Sequence, residues 1–311
     1  MDYLEYLENF CNKLKFPSDA TEYLLKFEKE IRQNKSLDDK LGEYLNDYMY
    51  PEAGDLREML KKIDVIADFC KVNTYTLQFA FILRCMPILQ QRYVENGYDK
   101  QLFWDGADDL RCKLLECKEC EGVYGTFVGG WNNDFINMTR FALGRFQYVL
   151  RYSDRETFTS PSGFVVNKGD PYLEFHIPSS GIPLTDEVRN DSYRRAWEFF
   201  KDQFGDKPVY LSTSSWLIYP AHKLFLSEKS NIRKFIDDFD ICFANPKDNF
   251  GDRWRLYGRY ADLPVEEWPE DTSMRRDFKK WILSGNKTGN AWGLILMENG
   301  ENVTHKKSRT A

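Results

Sequence analysis

Over the first hundred residues, apolar positions recur at spacings of three and four, the pattern of helices buried on one face. Tyr3, Leu4, Leu7, Phe10, Cys11 and Leu14 trace the first helix, and Lys15-Phe16-Pro17 breaks it. Asp19 with Glu22 makes a capping box and predicts a second helix bearing Tyr23, Leu24, Phe27 and Ile31. A third begins near Ser36 with Leu37, Leu41 and Leu45 in step, and a fourth runs from Leu56 through Met59, Leu60, Ile63 and Ala67 to Cys70. The fifth, from Thr74, is apolar on most sides through Leu83 and is predicted to be the most buried, with Pro87 kinking or ending it.

From about Trp131 the period shortens to two. Phe146, Tyr148, Leu150 and Tyr152 alternate with Arg145, Gln147, Val149 and Arg151, which predicts a strand within 141–152. Leu173, Phe175 and Ile177 alternate with Glu174 and His176 in a second strand, and Asn167-Lys168-Gly169-Asp170 is the turn that leads into it. Antiparallel pairing of the two gathers Arg145, Gln147, Glu174 and His176 on one polar face. That face is either solvated or the floor of a ligand cleft. Further strands are expected over 209–218, 231–243, 253–260 and 292–297, with a short helix from Pro220 carrying Ala221, Leu224 and Phe225, and another over 273–283.

Between the strand ending at Pro178 and a helix capped by Thr185 lies Ser179-Ser180-Gly181-Ile182-Pro183-Leu184. The helix predicts a stripe of Val188, Ser192, Ala196 and Phe199, with Trp197 and Phe200 beside it. A strand that ends in a small-residue loop and feeds a helix amino terminus presents unpaired amides to an anion. The expected ligand is therefore a cofactor that bears phosphate.

Composition narrows the field. At 311 residues the chain has room for two domains of roughly 150 residues each. Its net charge of −6 gives no general attraction to nucleic acid. The apolar stretch Leu77–Leu89 is too short to cross a bilayer and contains Gln78 and Arg84. The opening Met1-Asp2-Tyr3-Leu4-Glu5 is acidic where an export signal is basic, so a cytoplasmic protein is expected. Seven cysteines, an odd number, fit reduced thiols. Cys112, Cys117 and Cys120 lack the second ligand pair that a zinc site needs, and no metal is expected.

The segments Leu143-Gly144-Arg145-Phe146-Gln147, Phe175 to Gly181, Ser215-Trp216-Leu217, Ser230-Asn231-Ile232, Thr272-Ser273 and 285–293 resemble, in that order, a bacterial family of two-domain acyltransferase proteins. Its members join a helical N-acyltransferase amino-terminal domain to a carboxy-terminal domain similar to the GNAT acetyltransferases. The resemblance is specific over 143–293. It implies an α+β fold: an all-helical domain over 1–130, a mixed α/β GNAT-like domain over 131–305 with a central, mostly antiparallel sheet, and a basic tail over 306–311.

It also implies acetyl-coenzyme A or another acyl-coenzyme A in a V-shaped gap of the sheet. The cofactor would be held by Ile177, Ser179, Ser180, Gly181 and Thr185. The standard GNAT loop motif (Gln or Arg, two residues, Gly, one residue, Gly or Ala) is absent. Phe225 stands where the family commonly has a Tyr acid, and Ser214 where it tends to have His.

Transfer to an amine requires a base for the ammonium proton and an acid for the departing thiolate. Glu174 or His176 is the candidate base, and Tyr219 or Ser215 the candidate acid. Arg145, Gln147 and Trp216 are candidates for the acceptor cleft, with a small-molecule or peptide amine as partner. A binding protein that keeps the fold and a coenzyme A or nucleotide site, without catalysis, is the main alternative. A serine hydrolase using Ser214 or Ser215 ranks last, since it lacks the Gly-x-Ser-x-Gly elbow.

Overall fold

The computed structural model describes residues 2–154 and 156–307, and the chain divides into two compact units, Met1–Phe141 and Ala142–Ala311. Residues 308–311 of the expected basic tail lie outside the described residues.

The first unit is helical: α1 (Tyr3–Lys13), α2 (Ser18–Gln33), α3 (Lys35–Met49), α4 (Leu56–Cys70), α5 (Thr74–Glu95), α6 (Lys100–Glu121) and the short α7 (Asn133–Ile136). As the pattern predicts, α5 is buried on most sides. It runs unbroken through Pro87, because its neighbours supply the packing that a missing N–H weakens. Arg84, polar in an apolar run, is paired with Glu28 at 2.6 Å and Asp38 at 2.7 Å. The capping box is corrected: α2 starts at Ser18 behind Pro17 with no side-chain cap, while Asp19 accepts a bond from the Tyr124 hydroxyl. Cys112, Cys117 and Cys120 all ride on α6, which the periodicity reading passes over.

The second unit is built on a sheet. Its strands are β1 (Arg140–Leu143), β2 (Phe146–Tyr152), β5 (Pro171–His176), β6 (Val209–Ser215), β7 (Asp240–Lys247), β8 (Thr288–Glu298) and β9 (Glu301–Asn302), and β3 (Phe158–Thr159) and β4 (Val165–Val166) form a separate hairpin. The order is β1-β2-β5-β6-β8-β7, with β9 on β8. The β2–β5 pair is antiparallel and sets Gln147 opposite His176 and Val149 opposite Glu174. Among the pairings described, β5–β6 alone is parallel. The helices α8 (Asp186–Phe200), α9 (Asn231–Ile236), α10 (Trp254–Tyr257), α11 (Ser273–Leu283) and α12 (Thr304–Lys307) complete the unit. The α+β fold with a mostly antiparallel central sheet is the one expected.

One sheet face packs an aromatic core in which Phe146 lies 4.9 Å from Phe175 and 5.6 Å from Tyr193, ring centre to ring centre. The other face carries Phe164, Val166, Tyr210, Leu294 and Leu296 beneath the β3–β4 hairpin. That hairpin is absent from the sequence reading, since two-residue strands are too short to show a period.

Four expected elements are corrected. The strand over 141–152 is two strands, because Gly144 adopts φ +75° and turns the chain. The expected strand over 231–243 begins as α9, capped by Ser230, and turns to strand only at Asp240. The expected strand over 253–260 is α10 followed by a 3₁₀ turn. The segment after Pro220 is a 3₁₀ turn, whose three-residue period buries His222 and leaves Leu224 exposed.

Candidate functional site

β5 and β6 lie side by side at Leu173/Leu211 and Glu174/Ser212, and the paired register ends there. Beyond that point Thr213 Oγ1 donates to the Phe175 carbonyl at 2.9 Å, a side chain replacing a ladder bond. His176, Ile177 and Pro178 follow on the β5 side of this bond, and Ser214 and Ser215 on the β6 side.

The β5 side leads into the loop 178–185. Gly181 has φ +77°, and the space where a Cβ would stand is open to 4 Å. The Ser180 and Gly181 amides make no hydrogen bond among the described residues, whereas the Ile182 amide donates to Ser180 Oγ at 3.4 Å. Thr185 caps α8, its hydroxyl oxygen accepting from the Val188 amide. Two adjacent amides without partners among the described residues, at an open left-handed residue, could donate to an anion.

Arg145 does not lie along the polar sheet face where the strand reading sets it. It occupies the β1–β2 turn and donates from Nη1 to the Pro178 carbonyl at 2.8 Å and from Nε to the Ile182 carbonyl at 3.0 Å. The turn is fixed in its place by Ser192 Oγ, which donates to the Leu143 carbonyl at 2.6 Å and accepts from the Phe146 amide at 3.1 Å. On the same face of α8, Arg189 donates to the Leu184 carbonyl at 2.6 Å and pairs with Asp238 at 2.6 Å. The buried face of α8 is Arg189, Ser192, Tyr193, Ala196 and Phe200. The expected stripe is thus turned by about one position, because Asp238 makes burial of the guanidinium tolerable. Burial raises the Asp238 carboxyl above its usual range, and the bond from Arg189 opposes that rise.

The remaining candidates fall into distinct settings. Gln147 is buried and its Oε1 has no partner among the described residues. His176 is half-buried directly opposite it. Glu174 is engaged by Arg151 Nε at 3.1 Å. Ser215 Oγ accepts from the Leu217 amide at 3.1 Å and so keeps its own proton to donate. Tyr219 stacks its ring over Gly289 of β8, where an added Cβ would stand 2.7 Å from Tyr219 Cε2. Trp216 is a packing residue: its ring is buried edge-on against Phe250 and Phe278. Phe225 packs on Phe278 and Trp281.

Two groups escape the sequence reading. Arg189 reads as a solvent-facing charge until Asp238, 49 residues on, is seen to meet it. His222 is fully buried among the rings of Trp216, Tyr219, Phe225 and Phe278, and both its nitrogens lack partners. Desolvation lowers its pKa to about 4, so the imidazole is neutral. Among the described residues no cluster of His, Cys, Asp and Glu could hold a metal ion, and no helix is long and apolar enough to cross a membrane.

Comparison with known proteins agrees with this architecture. Residues 5–138 match the N-acyltransferase N-terminal domain, and residues 141–295 match the GNAT-like C-terminal domain. The chain belongs to this two-domain acyltransferase family. No curated protein matches it significantly. Solved structures share the fold. An acyltransferase mutant in complex with octanoyl-CoA superposes with a TM-score of 0.72 at 19% identity, covering 94% of this chain and 88% of that one. An acyltransferase in complex with decanoyl-CoA and teicoplanin gives the same figures, 0.72, 19%, 94% and 88%. An acyltransferase in complex with decanoyl-CoA gives 0.70 at 20% identity, over 93% and 87%.

Proposed function

We propose that this chain transfers an acyl group from a coenzyme A thioester to the amine of a small molecule or peptide. One observation carries the reading: the paired register of the parallel β5–β6 pair ends at Glu174/Ser212, and the Ser180 and Gly181 amides, without partners among the described residues, follow on the β5 side. In this reading the diphosphate rests on those amides, ahead of α8, with Ile177, Ser179 and Thr185 around it. The thioester extends between the ends of β5 and β6. The acyl-CoA complexes of the structural neighbours support a donor of this class, and the teicoplanin complex supports an acceptor as large as a glycopeptide.

The chemistry then follows from proton placement. The amine nitrogen forms a bond to the thioester carbonyl carbon, and the C–S bond breaks. His176 takes the amine proton, directly or through a water. Glu174, which meets Arg151 Nε at 3.1 Å, is the alternative base. The unpartnered Gln147 Oε1 opposite His176 accepts an N–H of the incoming amine and holds its lone pair toward the carbonyl. The proton for the thiolate comes from Tyr219 or Ser215, because Phe225 has none to give. The seven cysteines are free thiols, in keeping with work in the reducing cytoplasm.

A second reading keeps the nucleotide site without turnover, and the apolar Phe225 favours it. The two separate in one assay. Coenzyme A and acyl-CoAs from acetyl to decanoyl are scored for a rise in melting temperature, and the acyl-CoAs, with an amine panel, for thiol release. A shift with thiol release supports the transferase. A shift without it in any pairing supports the binder, and no shift with any thioester removes both.

A further inference from the structure

The segment 178–182 is closed by one side chain. Arg145 Nη1 takes the Pro178 carbonyl and Nε takes the Ile182 carbonyl, at 2.8 and 3.0 Å, so a single guanidinium gathers both ends of the turn. In a trans peptide the N–H points opposite to the C=O. Drawing the Pro178 oxygen down onto Arg145 therefore turns the Ser179 N–H up, away from the guanidinium. The two amides left without partners, Ser180 and Gly181, lie between the anchored carbonyls. Arg189 repeats the device one step along, taking the Leu184 carbonyl at 2.6 Å just before Thr185 caps α8.

Both guanidiniums answer to the same helix. Ser192 of α8 bonds the Leu143 carbonyl and the Phe146 amide on either side of Gly144-Arg145, and Arg189 stands one turn earlier on that helix.

We infer that Arg145 is the positioning residue of the donor site: by holding the Pro178 and Ile182 carbonyls it shapes the 178–182 turn for a diphosphate. The inference rests on the acyl-CoA reading above and extends it to a residue that never touches the reacting atoms. Its mark is selectivity. A group acting through the diphosphate matters for acyl-CoA and not for an acyl-pantetheine, which has the same thioester and no diphosphate.

The test compares octanoyl-CoA with octanoyl-pantetheine as donors, and CoA with pantetheine as ligands, in the full-length wild type, Arg145→Gln and Arg145→Lys. In Arg145→Gln we expect KM for the CoA thioester and Kd for CoA to rise tenfold or more, with kcat/KM for the pantetheine thioester within twofold of wild type. Arg145→Lys keeps the charge but spans only one carbonyl, so part of the lost affinity should return. Equal loss for both donors in Arg145→Gln, or no loss for either, overturns the inference. If Arg145→Gln fails to fold, Arg145→Lys decides through the same ratio of CoA to pantetheine affinity. A wild type that binds CoA no better than pantetheine removes the acyl-CoA reading itself; a wild type that prefers CoA, with that preference intact in both variants, removes only the role of Arg145.

Discussion

Thr213 Oγ1 donates to the Phe175 carbonyl at 2.9 Å, just past the last paired residues of β5 and β6. The bond ties the two strands together where their paired register ends and satisfies a buried carbonyl. Thr213→Val keeps the shape and removes the donor. The expected loss is about 1–2 kcal/mol, the cost of leaving a buried acceptor unpaired. Urea denaturation measures it, with Thr213→Ser recovering most of the loss.

The Arg189–Asp238 pair is buried, and Asp238 also accepts from the Tyr193 hydroxyl at 3.0 Å. Asp238→Asn removes the counter-charge and leaves the guanidinium in the interior. Breaking such a pair costs about 3–5 kcal/mol. The double variant Arg189→Met/Asp238→Leu should recover much of that in denaturation curves. It should nevertheless bind CoA poorly, since the Leu184 carbonyl loses its donor.

His222 makes stability depend on pH. Its folded pKa is depressed to about 4 from an ordinary 6.5, so the unfolded chain takes up the proton first as pH falls. Stability from this group is therefore complete above pH 6.5 and lost progressively as pH falls towards 4, by on the order of 3 kcal/mol. As pH falls from 6.5 towards 4, the melting temperature of the wild type should drop relative to that of His222→Phe, which takes up no proton on unfolding. A difference that stays constant with pH would contradict the burial of a neutral imidazole.

Gly289 lies where a Cβ would stand 2.5 Å from the Asn245 carbonyl oxygen and 2.7 Å from Tyr219 Cε2. Backbone cannot yield cheaply, so Gly289→Ala should spread β7 from β8 at a cost of about 1–3 kcal/mol. If Tyr219 gives the thiolate its proton, displacement of its ring lowers kcat more than it changes KM. If Ser215 gives it, kcat holds near wild type once the protein is folded. Steady-state kinetics on this variant thus choose between the two acids.

How far the sequence could be read differs by element. The five helices traced before Glu95 and the β2–β5 pairing show themselves as repeating periods over many residues. The loop Ser179–Leu184 is legible for a different reason, since small residues stand between an alternating strand and the cap Thr185. The misreadings share a cause. The segments 231–243 and 253–260 each hold less than two turns of helix, and over so few residues a helical and an extended period give the same apolar spacing. The β3–β4 hairpin is shorter still.

The site divides along the same line. Sequence by itself determined the fold class, the two-domain order and the small-residue turn between β5 and the Thr185 cap of α8, because each is written in neighbouring residues. Only the tertiary structure decided what Arg145, Arg189, Thr213 and His222 do. Their partners lie on other strands and helices, from Ile182 and Asp238 to Phe175 and Phe278, and a hydrogen bond or a ring contact made across the fold leaves no period in the chain.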